Sequence, residues 1–279
     1  MKPVFIVLLS AFAALLFFFL LYLFLIKTGK RRSVMDEFKK VRYAHRGLHG
    51  EGAPENSLLA FKRAVDAGFG IELDVRFSSD KKLVVFHDAT LERVTDATGR
   101  VAEKTAEELQ NIRLLGTEER IPTFLEVLGV VDGAVPLLIE IKEDAGEGGV
   151  ATELVRILKD YKGKYIIESF NPFSLKETAL ADGDIPRGML SDIFFKEKKY
   201  RKPMYFILQT MATNVVCRPD FVAYNVKSAK GNLPLYLVRN MFGAPTLAWT
   251  VKSEEEEALA YKLGFDGVIF EGYIPKDAR

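Results

Sequence analysis

Residues 3–26, PVFIVLLSAFAALLFFFLLYLFLI, run for 24 positions without a charge, and only Ser10 and Tyr22 in them carry polar side-chain atoms. A helix of that length rises about 36 Å, enough to cross a hydrocarbon core of about 30 Å with some tilt. A cleaved leader or a buried helix is the alternative, but a leader's apolar stretch covers about 7–15 residues and ends in small ones. This run ends in KTGKRR. The expectation is a single transmembrane helix with its basic flank over residues 1–32 and a linker over 33–40. Lys2 stands before the span, while Lys27, Lys30, Arg31, Arg32, Lys39, Lys40 and Arg42 follow it. The excess of positive charge then puts the rest of the chain on the cytoplasmic side of the cell membrane.

The net charge of +1 conceals an asymmetry. Residues 1–42 hold 8 Lys and Arg against 2 acids, which leaves 31 against 36 for residues 43–279. A mildly acidic globular part argues against nucleic acid as the partner, and the basic juxtamembrane segment suits anionic lipid headgroups. Cys217 is the single cysteine, so the chain has no internal disulfide and no cysteine-based zinc site. Oligomeric state has no signature in the sequence.

Beyond residue 40, apolar strand-like runs alternate with amphipathic helix-like ones. Strands are expected at 41–45, 71–77, 82–87, 136–142, 164–170, 186–191, 220–226, 245–251 and 266–272. SLLAFKRAVDAGF, GVATELVRILKDYK and SEEEEALAYKLGF read as helices, the last with a Ser N-cap, acids in its first turn and Gly264 at its end. Such alternation means βα units and a parallel sheet, and a (β/α)₈ TIM barrel of eight strands in roughly 250 residues fits 41–279. Nine runs are one too many for it, so either IELDVRF and KLVVFH form a hairpin-like pair or one run is not a strand. A doubly wound sheet is the fallback, but no G-x-G-x-x-G turn follows the first strand. Residues 88–120 are polar, hold no strand-like run and read as an insertion above the open face.

The chemistry gathers on a few strands. In IELDVR, Glu72 and Asp74 share one face by the two-residue period, and in PLLIEIK, Leu138, Glu140 and Lys142 share another. Three carboxylates on one sheet repel one another unless a cation lies between them or Arg76, Lys142 or backbone donors pair with them. Oxygen-only ligands suit Mg²⁺, Ca²⁺ or Mn²⁺. Of the three histidines, His45 and His87 end apolar runs, while His49 lies in GLHGEG. Histidine matches proton transfer near neutral pH, and strand ends of a barrel point into its mouth. Arg46 offers a fork of donors to a phosphate, or an ion pair to Glu55 or Asp74.

The series AHRG (44–47), APENS (53–57), IELDV (71–75), VVFHD (84–88), IPTFLEVL (121–128) and LIEIK (138–142) resembles the glycerophosphodiester phosphodiesterase family. The likeness covers essentially the whole soluble part. It implies a TIM barrel, one divalent cation (Mg²⁺ or Ca²⁺) held by Glu72, Asp74 and Glu140, and His45 and His87 as acid and base. It also implies that Arg46 and Lys142 engage phosphate, that Glu55 completes the metal or substrate shell, and that Trp249 walls the substrate pocket. The final strand departs from the family's DGIITD-like ending, which leaves the part of Glu271 open.

The activity implied is metal-dependent hydrolysis of glycerophosphodiesters to sn-glycerol 3-phosphate and an alcohol, in which the substrate's neighbouring hydroxyl attacks and water opens the cyclic phosphate. A lysophospholipase D-like cleavage of lysophospholipids at the membrane is one alternative. A catalytically inactive, membrane-attached binding barrel is another, although such a barrel has no need of an acid and base pair.

Overall fold

A computed structural model describes residues 2–29, 31–143 and 146–276; Lys30 of the basic flank and residues 277–279 of the expected barrel lie outside them. In chain order, helix α1 (Lys2–Ile26) is followed by β1 (Arg42–His45), α2 (Leu58–Ala67), β2 (Gly70–Phe77), β3 (Leu83–Val85), α3 (Ala106–Gln110) and α4 (Phe124–Val131). Next come β4 (Leu137–Ile141), α5 (Val150–Leu158), β5 (Tyr165–Ser169), α6 (Pro172–Ala181), β6 (Arg187–Ser191), α7 (Pro203–Gln209) and α8 (Asn214–Cys217). The chain ends with β7 (Phe221–Asn225), α9 (Val226–Ala229), α10 (Leu233–Phe242), β8 (Thr246–Val251), α11 (Glu254–Lys262) and β9 (Gly267–Phe270).

Eight parallel strands close in the order β1-β2-β4-β5-β6-β7-β8-β9, with β9 pairing back to β1. All nine strand-like runs of the sequence are strands, and the surplus one is β3. It turns back antiparallel on β2, with Val75 opposite Val85 and Phe77 opposite Leu83. β1 pairs with β2 only as far as Glu72, so the upper edge of β2 is open to receive it. Helix ends obey local chemistry. Ser253 accepts the Glu256 N–H at the start of α11, and the chain leaves through Gly264 at φ +86°, a conformation that costs glycine little.

The two-residue period sorts the strands into an outer and an inner face. Ile71, Leu73 and Val75 of β2 and Leu137, Ile139 and Ile141 of β4 pack outward among the helices. Tyr43, Leu138, Ile166, Leu190, Phe221 and Leu247 meet inside the barrel. Gly188 is needed there, because a Cβ on it would stand 2.1 Å from the Phe221 ring.

Within residues 33–40, expected as a linker, two buried side chains pack against this inner cluster. Met35 (1 % exposed) and Phe38 (6 %) are buried against it from the amino-terminal side. Burial of side chains this large contributes about 1.5–3 kcal/mol each. The end of α1 is also part of the fold. Ile26 is fully buried, its carbonyl accepts from Asn214 Nδ2 (2.9 Å), and the Tyr22 hydroxyl donates to the Thr210 carbonyl (3.0 Å). Arg31 bonds Asp220 (2.7 Å) and the Ile185 carbonyl (3.2 Å).

The segment from Asp88 to Arg120 contains α3 and isolated bridges such as Thr95–Leu114, with no strand. It folds over its own small core, in which Leu91, Val94, Val101, Leu109 and Leu114 join Val84 and Phe86.

Candidate active site

At the carboxyl ends of the strands the inner face changes from apolar to charged. On β4 the change takes two residues, Leu138 to Glu140. The register sets Asp74 beside Glu140, Glu140 beside Glu168 of β5, and His45 beside Glu72. Glu72, Asp74 and Glu140 are buried, and each offers an oxygen within 4.8 Å of the others.

The turn after β1 supplies the next contacts. Arg46 (φ +57°) and Gly47 (φ +81°) are both left-handed, and this swings the Arg46 N–H onto Glu72 Oε2 at 2.9 Å. A side chain at Gly47 would meet Ala60 at 2.9 Å, which explains the glycine of AHRG. The Arg46 guanidinium donates to Glu55 (2.7 Å) and pairs with Asp74 (3.4 Å), so both of its simple ion-pair partners are present. Asn56 of the PENS turn donates from Nδ2 to Asp74 Oδ2 at 2.8 Å. Lys142 lies 2.7 Å from Glu140 and 3.4 Å from Asp74.

His87 reaches the mouth on the hairpin that the surplus strand-like run suggested. It lies two residues past β3, outside any barrel strand, and the hairpin brings it back: the Phe86 N–H bonds the Asp74 carbonyl at 3.0 Å. Both imidazoles are held through Nδ1 by a carboxylate, His45 by Glu271 (2.8 Å) and His87 by Asp88 (2.6 Å). With that nitrogen fixed, Nε2 is the atom left for proton transfer. His45 Nε2 stands 3.9 Å from Glu72.

The charges inside do not balance. Among the described residues, the Lys and Arg side chains that line the cavity with Glu72, Glu140 and Glu168 are Arg46 and Lys142, and the same two pair with Asp74. Burial and its acidic neighbours push Glu72 well above the usual carboxylate range, and burial pushes Glu140 to about 7. Burial, reinforced by Glu140, raises Glu168 too. Burial works in the same direction on Asp74, but Lys142, His87, Arg46 and the Asn56 hydrogen bond together hold it low. Burial lowers both histidines, His87 to about 4 with Lys142 and Arg46 adding to the effect. Among the described residues no hydrogen bond reaches Glu168 Oε2 or Asp74 Oδ1. An oxygen-only cage with surplus negative charge and orphaned oxygens fits a hard divalent cation.

A cavity of about 120 Å³ opens on this cage, lined by His45, Arg46, Glu72, His87, Glu140, Lys142 and Glu168 and walled by Phe170 and Trp249. The two aromatic rings meet edge to face at 5.6 Å. Glu55 stands one step back: Arg93 grips both of its oxygens (2.6 and 2.8 Å), and it touches the cavity only through Arg46. His49 lines a separate, larger cleft of about 380 Å³ that Glu271 also lines, and it offers a ring nitrogen within 4.8 Å of ligand atoms of His45 and Glu271 rather than of the three carboxylates. Glu168, Asn56, Arg93 and Phe170 were not singled out from the sequence. Glu168 alone had a readable signal, an acid in the middle of the apolar run YIIES.

Oxygen ligands for a hard cation, two imidazoles and two fixed positive groups, gathered at the mouth of a barrel, are the parts a phosphoric diester hydrolase uses. Residues 45–272 match the pattern of the glycerophosphoryl diester phosphodiesterase family, and the chain belongs to that family of enzymes. The glycerophosphodiester phosphodiesterase of Caldanaerobacter subterraneus is 31% identical over 248 residues, covering 83% of this chain and 93% of its own. An Oleispira antarctica phosphodiesterase, solved with its product sn-glycerol-3-phosphate, superposes with a TM-score of 0.70 at 26% identity, over 84% of this chain and 94% of that one. A Thermotoga maritima glycerophosphodiester phosphodiesterase gives a TM-score of 0.64 at 29% identity, over 83% and 94%.

Proposed function

We propose that this chain hydrolyses glycerophosphodiesters to sn-glycerol 3-phosphate and an alcohol, with one divalent cation, Mg²⁺ or Ca²⁺, held by Glu72, Asp74 and Glu140. The observation that carries the reading is the acidic cage flanked by two carboxylate-supported histidines. The product bound by the Oleispira antarctica relative supports the choice of diester. Bound in the cage, the cation would supply neutralisation of charge on the phosphate's non-bridging oxygens. Arg46 and Lys142 add fixed positive charge on the same side, and they need not reorganise as charge shifts in the transition state.

One imidazole takes the proton of the attacking glycerol hydroxyl through Nε2, and the other delivers a proton to the departing alkoxide. Glu271 and Asp88 keep each ring in the tautomer that frees Nε2. Attack by the substrate's own hydroxyl is intramolecular and gains from proximity. The cyclic phosphate so formed is then opened by water, with the two histidines exchanging tasks. Phe170 and Trp249 wall the alcohol side and keep water from it. The test is release of sn-glycerol 3-phosphate from a panel of glycerophosphodiesters with and without chelator. Full activity in chelator removes the cation from the mechanism, and absence of that product removes the reaction.

We also propose that α1 is a retained transmembrane helix, with the barrel on the cytoplasmic side. The contacts of Ile26 and Arg31 with the barrel and the burial of Thr28 support retention, because cleavage of a leader would strip buried groups from the fold. Extraction by alkaline carbonate from native membranes would refute it.

A further inference from the structure

The segment between β6 and α8 joins the cavity to the surface through a chain of aromatic rings. Phe170, in the cavity wall, meets Phe194 at 5.9 Å between centroids. Phe194 in turn meets Tyr205 at 5.6 Å, and Phe195 meets Phe206 at 5.7 Å. The chain of contacts ends on α7, where Met204 (60 %), Phe206 (53 %) and Ile207 (50 %) are exposed. Single exposed apolar residues are ordinary, but three on a seven-residue helix backed by rings make a patch. Just before it runs KEKKYRK (196–202), with five Lys and Arg and one Glu. Apolar side chains next to a basic stretch complement an anionic lipid surface.

The position of α1 relative to this patch supplies the independent argument. Tyr22 donates to the carbonyl of Thr210, the residue after α7, and Arg218 Nη1 caps the carbonyls of Phe24 (2.8 Å) and Lys27 (2.9 Å). Residues 3–21 are all exposed and rise about 28 Å, close to the thickness of a hydrocarbon core. The bilayer boundary therefore falls near Tyr22, level with the end of α7. From Ile26, bonded to Asn214, to Tyr22, bonded to Thr210, α1 runs back up the path by which α7 and α8 descend from the carboxyl end of β6. That is the end on which the cavity opens.

We propose that α7 and the basic run before it form a second membrane contact: Met204, Phe206 and Ile207 enter the interface of an anionic phospholipid bilayer and hold the cavity mouth toward it. The contact rests on α1 spanning the membrane. It presents diesters lying at the bilayer surface to the cage, along the wall of rings that leads inward from Tyr205 of α7.

Full-length protein reconstituted in vesicles of phosphatidylcholine and phosphatidylglycerol tests this, with a fluorophore on a cysteine replacing Ile207, Phe12 or Leu180. Burial pushes the Cys217 thiol up to about 12, so the native cysteine does not compete for the label. Leu180 (78 % exposed), near the end of α6, is the control on the opposite end of the barrel. Release of sn-glycerol 3-phosphate from soluble glycerophosphocholine confirms that each labelled variant is folded. Spin-labelled lipid chains are expected to quench the label at 207 several-fold more than the label at 180. If the label at 12 is quenched while 207 behaves as 180 does, the second contact is overturned and the anchor stands. If the label at 12 is not quenched, the anchor fails and the contact falls with it.

Discussion

The interior of this barrel divides into two layers that share strands but not chemistry. Near the amino ends Tyr43, Leu138, Ile166, Phe221 and Leu247 fill the space, with Met35 and Phe38 packed beneath them. Near the carboxyl ends Glu72, Asp74, Glu140 and Glu168 crowd together with two cations between them. The lower layer gains free energy from every group it removes from water. The upper layer buries more charge than it neutralises, a cost that chemistry rather than stability explains. The comparison separates residues that hold the barrel together from residues it carries.

Substitutions in the two layers are expected to fail in different ways. His45→Ala or His87→Ala should lower turnover by about 10²–10⁴ while the melting temperature stays near wild type, as steady-state kinetics and calorimetry on one preparation would read. A variant with wild-type turnover would remove that histidine from proton transfer. Leu138→Ala, one step below Glu140, should do the reverse. It costs about 2–5 kcal/mol in denaturant unfolding and leaves the turnover of the folded fraction unchanged.

The cation sharpens the contrast further. Added at about 100 times its Kd, it should stabilise the wild-type protein by about 2.7 kcal/mol through binding the folded state alone. Glu140→Gln should lose most of that gain, and an equal gain in both proteins would put the ion elsewhere. The smallest effect is expected at Glu168. Replacing a buried carboxyl whose ionisation burial and Glu140 oppose, by Glu168→Gln, should raise the stability of cation-free protein by about 1 kcal/mol, measured by urea titration in chelator. A loss instead would mean that this carboxylate has a partner the surplus-charge account overlooks.

Much of this was legible in the chain. The apolar run, the nine strand-like segments, the paired acids of IELDV and LIEIK and the histidines of AHRG and VVFHD are all local patterns, and the structure gathers His45, Arg46, Glu72, Asp74, His87, Glu140, Lys142 and Trp249 around one cavity or its buried floor. Other features were not local. Arg93 is remote from Glu55 in sequence and lies in a polar insertion with no periodicity to read. Glu168 looked like a lone acid in an apolar strand, and only the β4–β5 register shows that it faces Glu140. Met35 and Phe38 resembled linker residues because three apolar side chains in the eight positions 33–40 are too few to establish a period.

The sequence by itself determined which residues alternate between inner and outer faces, where helices start and stop, and that residues 3–26 are long and apolar enough to cross a membrane. Those are consequences of backbone periodicity and side-chain solvation, which act over a few residues. Tertiary structure alone decided that Glu271 rather than another acid supports His45, and that Glu168 joins Glu72, Asp74 and Glu140 in one small space. Closure of the barrel imposes these neighbours, because strand registers between segments far apart in the chain depend on how the entire ring packs.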